Sequence, residues 1–366
     1  MGLSRVEAWS RWGLIREIEP LTQSAYEFFE WLQQRNSNIG ESVEDDWHLS
    51  FHGSQFPGDN PYACPRKAIY QMMDIPRMPF SRTSRAIMEA GKDIENRIVI
   101  KWYLAGYLLS APPPPFGKYQ TVYEDVDHML TSTVDAIVVH PKQNFGKVVE
   151  VKTKYRDDID KMLKLCKGPD PAHIGQLKCQ IGLAHEEGPK LVKRCYNTGR
   201  LALTHLDDPI CPQHFGMDCL REVEIASPDY GFIKYVSRDK PDDTWEFMYE
   251  YDSNFMEVGR TQLSAWKDWW NAERLPQTGF SDKRFSHPFD WTWTKSKKCP
   301  DSPCQYCEYG DICREDHKLA VATGKPILLA DSAGIGVANE IRPDYELNLV
   351  QMAVEKRWSK SQPVKS

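Results

Sequence analysis

Two places in this sequence gather residues whose types and spacing could do chemistry: a run of cysteines near residue 300 and a short β-branched strand near residue 150. Cys304, Cys307 and Cys313 follow Cys-x2-Cys-x5-Cys spacing, Cys299 stands just ahead of them, and Cys64 lies far upstream in Tyr-Ala-Cys-Pro-Arg-Lys. Four thiolates suit tetrahedral zinc or a [4Fe–4S] cluster. Zinc ribbons usually take their ligands as two close pairs, so one distant cysteine plus three clustered ones fits zinc less well. A purely local zinc knuckle of Cys299, Cys304, Cys307 and Cys313 is the other arrangement open. Cys166, Cys179, Cys195, Cys211 and Cys219 are scattered without ligand spacing and read as buried or indifferent thiols.

The β-branched run is Val148-Val-Glu-Val-Lys-Thr-Lys. Alternate residues of a strand share a face, so Glu150 and Lys152 point one way while Val149 and Val151 point the other. A hairpin connection centred between residues 142 and 143 places Asp135 directly opposite Glu150, on the same face. Two carboxylates so close repel unless a cation lies between them. With coordination positions left open, such a pair suits Mg²⁺ or Mn²⁺, which keep several waters and bind substrate phosphate. The lysine then supplies positive charge beside the attacked phosphate. An ordinary cross-strand salt bridge on a solvated face is the competing reading.

These residues need elements to position them. Apolar residues at Ile87, Ala90, Ile94 and Ile98 recur at helical spacing, predicting a helix over 83–104. Residues 1–40 read as an amphipathic helical region, the stretch through His52 to Pro61 as loop, and the tetraproline Pro112 to Pro115 as an extended break. Met129 to Val139 and Lys147 to Lys154 read as paired strands. A helix over 171–184 carries Ile174, Leu177 and Ile181 on one stripe. A second hairpin spans 231–251, and Leu263, Trp266 and Trp270 line the core side of a later helix. No internal repeat is present, and the last fifty or so residues hold no legible motif.

The chain has 366 residues, enough for two domains or one large one. Hydrophobic residues at 41% and charged residues at 27% support a packed core rather than disorder. No uncharged apolar run is long enough for a spanning helix, and the first residues lack a secretory signal. A soluble, cytoplasmic protein is therefore expected, with no membrane partner. A net charge of −6 excludes a uniformly basic nucleic-acid coat but leaves room for a local basic groove. Basic candidates for such a groove are Arg66, Lys67, Arg82, Arg85, Lys154, Lys178, Lys295, Lys297 and Lys298. No Gly-x4-Gly-Lys-Ser/Thr phosphate loop occurs, so no fused helicase is expected.

Asp135, about fourteen residues, then Glu150-Val-Lys152 at the end of an apolar strand resembles the core motif of PD-(D/E)XK nucleases. Flanking signals resemble the RecB-like branch. Gly91-Lys-Asp-Ile-Glu95 is similar to its first motif, with glutamate where that branch usually has histidine; Glu89 is a weaker candidate for the same position. Gln176-Leu-Lys-Cys-Gln180 resembles its Gln-x3-Tyr motif, with Gln180 in place of tyrosine. The cysteine spacing is similar to the iron–sulfur staple of the AddB nuclease domain and of CRISPR-associated exonucleases of the Cas-four type.

The resemblance spans about residues 60–315. It implies an α/β fold with a central mixed sheet flanked by helices, closed by an Fe–S cluster that links the N- and C-terminal parts. It implies a nuclease domain at 56–318 between an N-terminal helical extension, 1–55, and a tail, 319–366. By resemblance, Glu95, Asp135 and Glu150 hold Mg²⁺ or Mn²⁺, Lys152 orients the water, and Gln176, with Gln180, steadies the lysine or a phosphate. Cys64, Cys304, Cys307 and Cys313 hold the [4Fe–4S] cluster. The implied activity is metal-dependent exonuclease action on single-stranded DNA or duplex ends, alongside a helicase, recombinase or CRISPR adaptation protein. A non-catalytic DNA- or protein-binding module with a zinc knuckle is the alternative from another class. An iron–sulfur redox protein is disfavoured because no second redox cofactor motif appears.

Overall fold

The structure is a computed structural model that describes residues 50–58, 60, 63–73, 82–112, 121–203, 209–214 and 216–275, together with 307, 309–310, 312–313, 316 and 322–323. In chain order the elements are β1 (Phe51–His52), α1 (Pro65–Met72), α2 (Arg82–Leu104), β2 (Thr121–Asp125), β3 (Leu130–Val134), β4 (Ala136–Val138) and β5 (Lys147–Lys154). There follow α3 (Arg156–Cys166), α4 (Pro171–Glu186), β6 (Lys190–Cys195), β7 (Leu220–Ile225), β8 (Tyr230–Ser237), β9 (Thr244–Glu250) and α5 (Ser253–Asn271).

Local chemistry sets several of these boundaries. Asp170 caps α4 by accepting from the Ala172 amide, with Pro171 pre-set for the first turn. Asp252 caps α5 through the Phe255 amide in the same way. The expected helices over 83–104 and 171–184 are present, each extended by one or two residues.

The main sheet has the order β4-β5-β8-β9 and is mixed: β5 pairs antiparallel with β4 and parallel with β8. Its two faces are covered by different helices. Val149, Val151, Ala136 and Phe232 meet Val99, Trp102 and Tyr103 of α2 and the residues just inside its end. Val148, Ile137, Ile233 and Tyr235 share a second core with Leu177 and Ile181 of α4, and with Leu263 and Trp266 of α5. The alternation read from the strand is thus the division between two cores. Leu263 and Trp266 are buried and Trp270 is partly buried against them, as the aromatic stripe predicts.

The run 129–139 does not form one continuous strand. It breaks at Asp135, because β3 pairs with β1 and β2 in a separate three-stranded sheet while β4 pairs with β5. Phe51 and His52, the latter expected in a loop, form a short strand parallel to β3, ahead of the domain boundary placed at 56. Residues 1–40 and Pro113 to Pro115 lie outside the described residues. No helix among the described residues is long and apolar enough to cross a membrane.

Candidate active site

The β4–β5 register is Ala136 opposite Val149, Ile137 opposite Val148 and Val138 opposite Lys147, the pairing that a connection centred between residues 142 and 143 requires. Asp135 lies one position beyond the ladder, at the sheet switch. There its carboxylate Oδ2 accepts from the Val151 backbone amide at 2.7 Å. Glu150, only 1% exposed, forms an ion pair with Lys152 Nζ through Oε1. Its other oxygen, Oε2, accepts from Gln180 Nε2 at 2.6 Å. A solvated salt bridge on an open sheet face is therefore not what the strand carries.

Helix α4 supplies the neighbouring amides. Lys152 Nζ donates to Gln176 Oε1 at 3.2 Å. Gln180 is fully buried and also donates to the Thr133 carbonyl at 2.8 Å, so one amide group ties Glu150 to β3. The two glutamines share a helical face but have distinct tasks: Gln176 holds the lysine, Gln180 the glutamate.

Glu95 reaches this group from α2. Burial, then the negative charges of Glu150 and Glu95, push the Asp135 carboxyl well above the ordinary carboxylate range. Burial works against the Lys152 ammonium, but Glu150, Asp135 and Glu95 together outweigh it and raise the lysine. Glu89 is exposed on the same helix. The approach of α2 depends on Gly91, since a Cβ there would lie 2.7 Å from Thr153 Oγ1 on β5. That is a physical reason for glycine one turn before Glu95.

Two histidines join the site that the sequence reading did not single out. His52 on β1 is held below its ordinary pKa by burial, with Glu150 opposing and Lys152 reinforcing the shift. His173 sits one turn before Gln176, its Nδ1 2.8 Å from the Tyr235 hydroxyl. Burial, then the charges of Lys152 and Lys154, hold its imidazole well below the ordinary range. The spacing His173-x2-Gln176-x3-Gln180, one stripe of α4, was the signal that could have found it.

The cysteines divide differently from expectation. Cys64, the residue before α1, lies near enough to Cys313 for its charge to act on that thiol. Arg66 Nη1 donates to Cys313 Sγ at 3.4 Å, and Tyr70 donates to Asp316 Oδ2 at 2.5 Å. Cys307 packs against the same core. Cys299 and Cys304 lie outside the described residues.

Cys195, Cys211 and Cys219, read as scattered thiols, converge with His214 into a group whose ligand atoms all lie within 4.8 Å of one another, able to hold a metal ion. The fold rather than local spacing unites them, because Cys195 ends β6 and Cys219 precedes β7, its antiparallel partner.

Two basic candidates need correction as nucleic-acid contacts. Arg66 is buried against Cys313, and Lys178 is paired with Asp252 at 2.9 Å and stacked over Phe255. The side chains of Arg82 and Arg85 and the residues Lys295, Lys297 and Lys298 lie outside what the structure describes. Lys154, half-exposed at the end of β5, stays open to solvent beside the site.

No family model and no curated protein matches the chain. Among solved structures it is similar to LHK-Exo, an alkaline exonuclease from Laribacter hongkongensis, at 13% identity and a TM-score of 0.36, covering 63% of this chain and 94% of that one. Similarity to LHK-Exo in complex with dAMP has a TM-score of 0.37 at 14% identity, covering 62% of this chain and 90% of that one.

Proposed function

We propose that the protein is a metal-dependent nuclease of the PD-(D/E)XK type that hydrolyses DNA phosphodiester bonds. The observation that carries this reading is the convergence of Asp135, Glu150 and Glu95, from a sheet switch, a strand and a helix, around Lys152. One ammonium does not balance three carboxylates. The remaining negative charge, all on hard oxygen donors, fits Mg²⁺ or Mn²⁺. When bound, such an ion activates water and stabilises charge on the phosphate.

The chain's own groups do the rest. The Val151 amide fixes Asp135, and Gln180 fixes Glu150, so the donor oxygens need no reorganisation when substrate arrives. Lys152, steadied by Gln176, presents its ammonium on the same face and neutralises charge developing on the phosphoryl oxygens. His52 and His173, kept neutral by burial, border the lysine without adding to its charge.

The cysteine segment supports a second part of the reading: Cys64, Cys304, Cys307 and Cys313 hold a [4Fe–4S] cluster that closes the domain. The nearness of Cys64 to Cys313, close enough for its charge to act on that thiol, and the Arg66 donor on the Cys313 sulfur support that ligand set. Single-stranded or end-exposed DNA remains the proposed substrate, with a helicase, recombinase or CRISPR adaptation protein as partner.

The test is cleavage of linear DNA in Mg²⁺ or Mn²⁺ by the full chain. Glu150→Gln, which keeps the shape, should lose at least about a hundredfold in rate, the scale of removing one group that stabilises transition-state charge. Wild-type cleavage rates from a folded Glu150→Gln protein would overturn the assignment.

A further inference from the structure

The excursion between β6 and β7, residues 196–219, has a small core of its own. Among the described residues, its hydrophobic members are the three cysteines, with Leu220 packed against them. Connections of this length are uncommon in compact domains unless something ties them down. What stands at its centre is Cys195, Cys211, His214 and Cys219, with Sγ to Nδ1 separations of 3.6, 3.4 and 3.3 Å for Cys195, Cys211 and Cys219 respectively.

These lengths identify the occupant. In a zinc tetrahedron with bonds of about 2.3 Å to sulfur and about 2.0 Å to nitrogen, each sulfur–nitrogen edge is about 3.5 Å. The three separations match that edge. An iron–sulfur cluster would hold its ligands farther apart, because several irons and sulfides stand between them. Ligand atoms all within 4.8 Å leave room for a single ion. The amides of Asn197 and Thr198 also reach the Cys195 sulfur, as amides commonly do to a metal-bound thiolate.

We infer that Cys195, Cys211, His214 and Cys219 form a closed, four-coordinate zinc site whose role is structural. It is separate from both the carboxylate site and the Cys64 staple, and does not depend on the nuclease reading. With all four positions filled by protein, no place is left for water or substrate. What the ion secures is a latch. Arg194, next to Cys195, donates to the carbonyls of Gln143 and His140 and to Asn144 Oδ1, at 2.8, 2.7 and 2.7 Å. Gly199, at φ +72°, sits so close that a Cβ would lie 2.1 Å from the Pro141 carbonyl oxygen. The zinc loop thus grips the connection between β4 and β5, the hairpin that carries Glu150.

Metal analysis of the full chain tests the inference. Wild-type protein purified without chelators should carry stoichiometric zinc, and Co²⁺ put in its place should give the intense visible bands of a tetrahedral thiolate site. Cys211→Ser and His214→Ala should weaken zinc binding by more than the roughly 10–100-fold that loss of an outer hydrogen-bond partner costs. His214→Cys and Glu150→Gln should keep the metal. His214 is exposed, so its alanine variant decides the matter even where Cys211→Ser fails to accumulate. Chelation should speed hydrogen exchange at the Gly199 and Cys211 amides, which donate to the Cys195 and Gly216 carbonyls. Wild-type protein that lacks zinc, or zinc retained in both His214→Ala and Cys211→Ser, would overturn the site.

Discussion

The Val151 amide donates to the Asp135 carboxylate at 2.7 Å, and this bond joins the point where the chain changes sheets to the strand that holds Glu150 and Lys152. A residue at the end of a ladder normally frays. Here a side chain replaces the missing backbone partner, so the carboxylate is positioned by the same geometry that ends β3 and begins β4.

Asp135→Asn keeps an acceptor for that amide and removes a charge that its neighbours disfavour. The variant should fold with a melting temperature at or above that of the wild type in the absence of divalent ions. It should lose Mn²⁺ affinity and at least about a hundredfold in DNA cleavage. Calorimetry with and without Mn²⁺ checks the first two, and a fall in metal-free stability would show that the charge is structural.

Gly91→Ala should push α2 away from β5, because the new methyl meets Thr153 Oγ1. Overpacking of this kind costs about 1–3 kcal/mol, and here it also displaces Glu95. Adding Thr153→Ala removes the obstructing oxygen and should recover part of both stability and cleavage. Equal and independent losses in a double-mutant cycle would refute the contact.

Lys147 is fully buried, and burial lowers its pKa to about 7 while Nζ donates to Gln143 at 2.6 Å. The unfolded chain holds this proton up to a pH of about 10.4. Between about 7 and 10 the unfolded state therefore binds more protons, and stability should rise with pH over that window. Below about 7 both states are protonated and the effect levels off. Denaturant midpoints from pH 7 to 9 should climb in the wild type and flatten in Lys147→Met.

DNA binding should weaken steeply with salt, since a chain of net charge −6 must gather its cations locally. Lys154→Ala should reduce the slope of log affinity against log salt by about 1 without changing base preference. Arg66→Ala should behave differently. Stripping a buried arginine from Cys313 and Asp316 should destabilise the fold by about 3–5 kcal/mol. A stable Arg66→Ala protein with weakened DNA binding would restore the surface role first read from sequence.

Much of the site was legible because strand periodicity is a strong constraint. Once Glu150 and Lys152 share a face and the turn is centred, Asp135 has one place to stand, and the pairing of β4 with β5 follows that register. What escaped notice depends on contacts between distant segments. His52 reaches Glu150 and Lys152 through a two-residue strand too short to show a pattern. Cys195 meets Cys211 and Cys219 only because β6 and β7 pair. Arg66 reads as a surface charge until the segment around Cys313 covers it.

That covering has a consequence for synthesis. Arg66 and Tyr70 meet Cys313 and Asp316, partners 247 and 246 positions later in the chain. A growing polypeptide leaves the ribosome N-terminus first, so α1 emerges long before these partners exist. A guanidinium cannot be buried cheaply without its partners. The face of α1 that carries Arg66 and Tyr70 therefore stays open until residue 316 has been made, and a chain released earlier should be more sensitive to proteases there. The junction of α1 with Cys313 and Asp316 makes synthesis of that late segment a condition of closing this part of the core.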